Sequence, residues 1–183
     1  MLLLSSFNRL IFSIFLLGFI GIPSFAFAEW DDSFLQAVFA GDRKEAKSLL
    51  DLGANIESRT KKGSTALIVA SARGDSEMVQ LLLDLGARGN SRNRYDDTAL
   101  LLCSTRGNAR CVKSLIEKDV DLNSRNMHGW SPLARAARYG HLETMRLLLE
   151  HGANIETQIN DGATPLLIAT GEEHSGAVHL LLK

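Results

Sequence analysis

The stretch that decides the fold is SPLARAARYGHLETMRLLLEHGAN, which occupies residues 131–154. It opens with Ser131, a residue type that caps helices, and a first short run of small and apolar residues ends at Gly140. A second run places its apolar side chains at helical spacing and ends at Gly152. The stretch therefore predicts two short helices, each terminated by a glycine.

The same pattern returns every 33 residues along the chain. The step links several independent positions: Thr65, Thr98, Ser131 and Thr164; Gly41, Gly74, Gly107 and Gly140; and Leu49, Leu82, Leu115, Leu148 and Leu181. Separate ladders that share one period are very unlikely to arise by chance. A repeated helix pair buries its apolar sides by stacking on its neighbours, so the sequence predicts a solenoid.

Turn residues recur at the same step and predict left-handed backbone positions. Gly74, Gly107 and Gly140 are expected to end the first helix of a pair. The second helix is expected to end at Gly53, Gly86 and Gly152, with Asp119 replacing the glycine once. Tight bends are expected in the connecting loops at Gly63, Gly129 and Gly162, with Asp96 as the exception.

These residues closely resemble the ankyrin repeat. The match is carried by DGATPLLIA at residues 161–169 and by GHLETMRLLLEHGAN at residues 140–154. The resemblance implies an all-α solenoid of about five 33-residue helix-turn-helix units, the first and last partial, joined by β-hairpin-like loops. The units are expected at residues 31–60, 61–93, 94–126, 127–159 and 160–183. Glu173 departs from the family glycine, which predicts a looser fifth repeat.

The N-terminal segment has the pattern of a secretory signal peptide. An uncharged apolar run at residues 10–22 follows Arg9, and Ala26 and Ala28 supply the small residues of a cleavage site. We expect residues 1–28 to be removed by cleavage between Ala28 and Glu29, leaving an ankyrin-repeat domain at residues 29–183. The alternative is an uncleaved membrane anchor.

Composition and motifs exclude several function classes. Twenty Lys and Arg face 21 Asp and Glu, so the chain lacks the basic excess of a nucleic-acid coat. Two cysteines cannot make a four-cysteine zinc site, and the five histidines form no ligand pair at metal-binding spacing. No catalytic or phosphate-binding motif occurs. We expect no enzyme activity, no catalytic residue, no cofactor and no metal.

Recognition is expected from residues that vary at repeating positions. The resemblance implies that partners bind the hairpin tips and the exposed side of the first helices, here called the concave face. Arg, Tyr and Trp are enriched in binding hot spots, which suggests a protein partner with an acidic and partly apolar surface. The candidate partner-binding residues are Arg73, Tyr95, Arg106, Met127, His128, Trp130, Arg138 and Tyr139.

Two further features carry predictions of their own. Cys103 and Cys111 lie at similar distances on either side of Gly107, so they are either disulfide-bonded or two small buried thiols. At the C-terminal end, Leu182 is expected to face inward with its neighbours, yet no polar cap is evident. We therefore expect fraying of the last repeat, or its burial by a partner or by a second copy of the chain through self-association at that end.

The sequence taken together predicts a non-enzymatic protein-binding scaffold in the bacterial periplasm. The alternatives are an adaptor anchored in the inner membrane and a secreted virulence factor that binds a host protein. The resemblance also suggests a link to oxidative-stress defence, because small exported ankyrin proteins of bacteria are sometimes associated with it.

Overall fold

The computed structural model describes residues 24–183, with side chains from Glu29 onward. The predicted signal segment, residues 1–28, lies outside the described residues except for its last five, which begin the first helix. None of the helices in the described part has the length and apolar character needed to span a bilayer. Ten α-helices occur between residues 24 and 183: α1 Ser24–Ala40, α2 Arg43–Asp51, α3 Ala66–Arg73, α4 Ser76–Asp84, α5 Ala99–Arg106, α6 Ala109–Ile116, α7 Pro132–Arg138, α8 Leu142–Glu150, α9 Pro165–Gly171 and α10 Ser175–Leu181.

Side-chain caps start the first helix of the second to fifth pairs, as the 33-residue ladder predicts. The hydroxyl of Thr98 accepts a hydrogen bond from the backbone N–H of Leu101 at 3.2 Å, and Ser131 caps α7 in the same way. Thr65 and Thr164 repeat the arrangement at α3 and α9. A cap satisfies an N–H that the helix itself leaves unpaired, so these four residues fix where each helix begins.

Left-handed backbone positions fall where the sequence places them. Gly74 ends α3 with φ 76°, and Gly107 ends α5 with φ 67°. The two predicted aspartate exceptions adopt the same conformation, at φ 59° for Asp96 and 52° for Asp119. Glu173 also has a positive φ, 58°. The backbone at Glu173 therefore has the same left-handed conformation as in the other repeats, and the looser fifth repeat stays a prediction.

The helices pack in two rows around one continuous core. The first helices α1, α3, α5, α7 and α9 lie side by side, and the second helices α4, α6, α8 and α10 form the other row. The ladder of leucines lies between the rows and is buried at all five steps: Leu49, Leu82, Leu115, Leu148 and Leu181. Burying the same position in every unit makes each repeat a packing surface for the next.

Polar side chains also join neighbouring repeats. The Asn108 side-chain amide donates to the carbonyl of Gly74 at 2.8 Å. One repeat later, His141 Nε2 lies 3.2 Å from the carbonyl oxygen of Thr105, and His174 contacts Arg138 O in the same way. These histidines have structural partners, and the contacts hold each first helix to the following repeat.

The loops between pairs are turns. The described residues contain one isolated antiparallel bridge, between Arg59 and Thr65, and no extended strand. Three backbone hydrogen bonds run from tip to tip, including Met127 N–H to Tyr95 O at 3.0 Å and Asn160 N–H to His128 O at 3.3 Å. The four loops from residue 55 onward therefore form one continuous edge beside the first helices.

Cys103 and Cys111 are paired as a disulfide, with their Cα atoms 5.9 Å apart. Both residues are fully buried, one on α5 and one on α6. A Cα separation near 6 Å is typical of disulfides. The bond joins the two helices of the third repeat, and a thiol assay on the purified protein can test it.

The fifth repeat corrects one expectation. Leu181 is buried, but Leu182 is 68% exposed instead of facing inward. Leu182 is the C-cap residue of α10 and lies beyond its last turn, so the helix does not turn this side chain toward the core. Leu167 on α9 is also exposed, although the equivalent Ile68 and Leu101 are buried. Self-association through this end stays a prediction.

Candidate interaction surface

Three large apolar side chains are exposed where the sequence expects recognition. Tyr95 and Met127 lie on successive loop tips and are 46% and 52% exposed. Tyr139 follows α7, is 46% exposed and stacks on His141 with ring centroids 5.9 Å apart. His128 is exposed beside Met127. These side chains are not needed to fill the core, so they are available for contact.

The three predicted arginines each have a partner within the chain. The guanidinium of Arg73 lies 5.0 Å from the centre of the Phe39 ring. Arg106 Nε donates to the carbonyl of Ala72 at 2.8 Å, and Arg138 Nε lies 3.5 Å from a Glu172 carboxylate oxygen. The sequence did not predict these contacts, which hold the side chains in place along the row of first helices.

Trp130 is half-buried, whereas a side chain that served only to bind a partner would be largely exposed. It packs against a small apolar cluster of Ala134, Ile159 and Ile168. A shallow pocket of about 350 Å³ lies beside the ring and is lined by His128, Trp130, Ile159, Asn160 and Asp161. The indole therefore bridges the fourth and fifth repeats while keeping part of its surface open.

Arg135 is a residue that sequence reasoning missed. Its guanidinium carbon lies 4.5 Å from the centre of the Trp130 ring, and that of Arg138 lies 5.1 Å from the same ring. Both distances are within the range of cation–π attraction. Two guanidinium groups therefore lie against the Trp130 ring, and of these two arginines only Arg138 was predicted from the sequence.

The environment of Arg135 is unusual for a charged side chain. Burial lowers the pKa of its guanidinium below the ordinary value, and Arg138 acts in the same direction, while Tyr139 and Asp97 raise it. Its Nε atom is buried and has no hydrogen-bond partner. A buried donor left without an acceptor is unfavourable.

A signal for Arg135 was present in the repeat itself. Steps of 33 residues place Val69, Leu102, Arg135 and Ile168 at one position. Gln36 occupies this position in the first repeat, so Arg135 is the one charged residue at a position that is apolar in the second, third and fifth repeats. Trp130 is equally irregular, because its equivalents are Ser64, Asp97 and Ala163. Trp130 and Arg135, two residues that depart from the repeat pattern, thus lie in the same unit and contact each other.

The surface offers cations, aromatic rings and apolar side chains rather than reactive groups. In the described part of the chain, no cluster of three His, Cys, Asp or Glu side chains could hold a metal ion. Six ion pairs occur among the same residues, and none includes Arg73, Arg106 or Arg135. Such a surface can recognise another molecule by charge and shape.

Comparison with known protein families agrees with the repeat pattern. A family model described as ankyrin repeats in three copies matches residues 34–126 and, in a second overlapping match, residues 107–183. The two matches together cover residues 34–183, from within α1 to the end of α10. No curated protein matches the chain.

Proposed function

Because the chain belongs to the ankyrin-repeat family, we propose that it is a non-enzymatic module that docks a folded protein partner on its concave face. Ankyrin repeats generally bind protein partners. In this chain the first helices and loop tips carry the variable residues, whereas the positions between the helix rows repeat. A regular scaffold with one variable face suits recognition.

The observation that carries the proposal is the exposed apolar set on that face. Tyr95, Met127 and Tyr139 each leave about half of their surface open to solvent. Large apolar side chains that are exposed together commonly mark protein contacts. Aromatic residues next to arginine are typical of the centres of such contacts.

The charges on the face favour an acidic and partly apolar partner. Arg73, Arg106 and Arg135 have no carboxylate within 4 Å among the described residues. A partner that brings acidic groups to these arginines would speed the encounter and fix its orientation. Uncharged contact area would come from the tyrosines and Met127.

Affinity capture with paired variants tests this function. The exported protein, tagged after Lys183, is used to capture partners from an envelope extract of its own organism. The test variant is Tyr95→Ala/Met127→Ala/Tyr139→Ala. The control is Leu52→Ala/Leu85→Ala, which removes similarly exposed apolar side chains at the ends of α2 and α4, away from the concave face.

The proposal predicts a partner captured by the wild type and the control and lost by the test variant, with all three proteins folded. Equal capture by all three would place the binding surface elsewhere. Failure to capture any specific partner would also count against a concave-face module in this compartment.

We further propose that the protein acts in the bacterial periplasm after removal of residues 1–28. The support is the apolar run and the Ala26 and Ala28 pair in the sequence. N-terminal sequencing of the protein from its own cells should give Glu29, whereas Met1 would indicate an anchored adaptor. Recovery from the culture medium would favour a secreted factor. The link to oxidative-stress defence stays a prediction until the captured partner is identified.

A further inference from the structure

Two guanidinium groups converge on one indole in the fourth repeat. The Arg135 and Arg138 guanidinium carbons lie 4.5 and 5.1 Å from the centre of the Trp130 ring. The positive charge of Arg138 disfavours the charged form of Arg135 and lowers its pKa, and the electron-rich ring offsets only part of this repulsion between like charges. An anion that contacts both guanidinium groups would offset the remaining repulsion between them.

The Arg135 guanidinium is hydrogen-bonded to Tyr139 and attracted by Asp97, but one of its donors has no acceptor. Its Nε atom is buried and unpartnered, and no carboxylate lies within 4 Å of the side chain among the described residues. A guanidinium presents parallel N–H groups that match the two oxygens of a carboxylate. A carboxylate is therefore the group best suited to the part of the half-buried Arg135 guanidinium that a partner can reach.

A carboxylate of the chain itself already reaches this cluster. Glu172 lies 3.5 Å from Arg138 through one oxygen, and both side chains are more than 40% exposed. An exposed pair of this kind contributes little stability and exchanges readily with other partners. Glu172 thus holds Arg138 in position in the free protein and competes with an incoming acid.

From this geometry we propose that Arg135 and Arg138, held over the Trp130 indole, bind a carboxylate side chain of the protein partner. The inference rests on the proposed function and names the group that the concave face recognises. An apolar neighbour of that acid would fit the shallow pocket beside Trp130. The partner segment is thus an Asp or Glu next to an apolar residue.

Nuclear magnetic resonance with a defined probe tests the proposal. The probe is the blocked peptide Ac-Glu-Leu-Glu-Leu-Glu-NH2, and its control is the same peptide with glutamine at each acidic position. The indole N–H signal of Trp130, assigned with Trp130→Phe, reports binding. We expect saturable shifts with the acidic peptide and an affinity at least about tenfold above that of the glutamine peptide.

We call the arrangement of Arg135, Arg138 and Trp130 the clamp. Three variants distinguish binding by the clamp from a general effect of positive charge. Arg135→Leu introduces the apolar residue type of the second, third and fifth repeats and should abolish the preference for the acidic peptide without unfolding the protein. Arg73→Leu removes a positive charge from the same face two repeats away and should leave the preference unchanged. Glu172→Gln removes the internal competitor and should raise the affinity a few-fold.

Several outcomes would overturn the clamp. These are equal binding of the two peptides, an unchanged preference in Arg135→Leu, and no shift of the Trp130 signal up to about 5 mM peptide. The capture experiment keeps the two proposals distinct. If the Tyr95, Met127 and Tyr139 variant loses the native partner while Arg135→Leu retains it at full affinity, the interaction module stands and the clamp is wrong.

Discussion

Trp130 and Arg135 are each the exception at their own repeat position, and they stack on each other at 4.5 Å. Their equivalents in the neighbouring repeats are small, polar or apolar residues that follow the rules of the scaffold. A repeat scaffold gains nothing from a charge at an apolar position. The contact therefore indicates where the regular fold has been adapted to recognition.

Replacing Arg135 tests whether an arginine at this position lowers the free energy of unfolding. Arg135→Leu loses a cation–π contact worth about 0.5–1 kcal/mol and removes a buried unpaired donor that costs about 1–3 kcal/mol. We expect the free energy of unfolding to stay the same or to rise by up to about 1 kcal/mol, measured by urea denaturation. A loss above about 2 kcal/mol would show that Arg135 is a structural residue.

Gly107 should be far less replaceable than Gly162, although both have a positive φ. A Cβ at Gly107 would lie 2.5 Å from the His141 ring, whereas nothing lies within 4 Å of one at Gly162. Gly162→Ala should cost about 1 kcal/mol from backbone strain alone, and Gly107→Ala should cost roughly 2–4 kcal/mol. Thermal unfolding of the two variants checks this order, and equal losses would contradict the close packing of His141.

Asn108 both caps the N-terminus of α6 and hydrogen-bonds to the preceding repeat. Its side-chain oxygen accepts from the backbone N–H of Cys111 at 3.1 Å, and its amide donates to Gly74 O at 2.8 Å. Asn108→Ala should lower the free energy of unfolding by about 2 kcal/mol because these two bonds are lost, together with the one that Asn108 accepts from the Ser76 hydroxyl at 3.0 Å. Asn108→Ser keeps a capping hydroxyl and should recover about half of that, as urea denaturation would show. Identical losses would mean that the cap contributes nothing.

The pair of Cys103 and Cys111 predicts a protein without reactive thiols. Protein prepared without reductant should resist alkylation even when unfolded, and its mass should rise only after reduction. Cys103→Ala/Cys111→Ala should lose about 2–3 kcal/mol, since the bond closes a loop with a sequence separation of 8 residues. Two alkylated cysteines in the unreduced, unfolded protein would instead support buried free thiols.

Much of the fold could be predicted from the sequence because it depends on local chemistry. Caps such as Thr98 and left-handed positions such as Asp119 are decided within a few residues of the chain, so their spacing reveals them. Arg106 and Ala72 are different, because their contact joins residues 34 positions apart. Periodicity shows that two repeats are neighbours and does not show which side chains meet.

The candidate site was predicted only in outline for the same reason. The loop tips and first helices were expected to carry the variable residues, and Tyr95 is indeed exposed there. Trp130 could equally have contacted a partner or packed over a neighbouring hairpin, and in the structure it packs on the fifth repeat. Arg135 was overlooked because its position is apolar in the second, third and fifth repeats, although the irregularity itself was visible in the ladder.

The central claim, that a protein partner docks on the concave face, is tested most directly by hydrogen–deuterium exchange on the complex with the captured partner. We predict slower amide exchange in the complex for residues 93–106 and 126–139, with little change in α4, α6 and α8. Protection confined to those second helices, or to the fifth repeat alone, would contradict the claim.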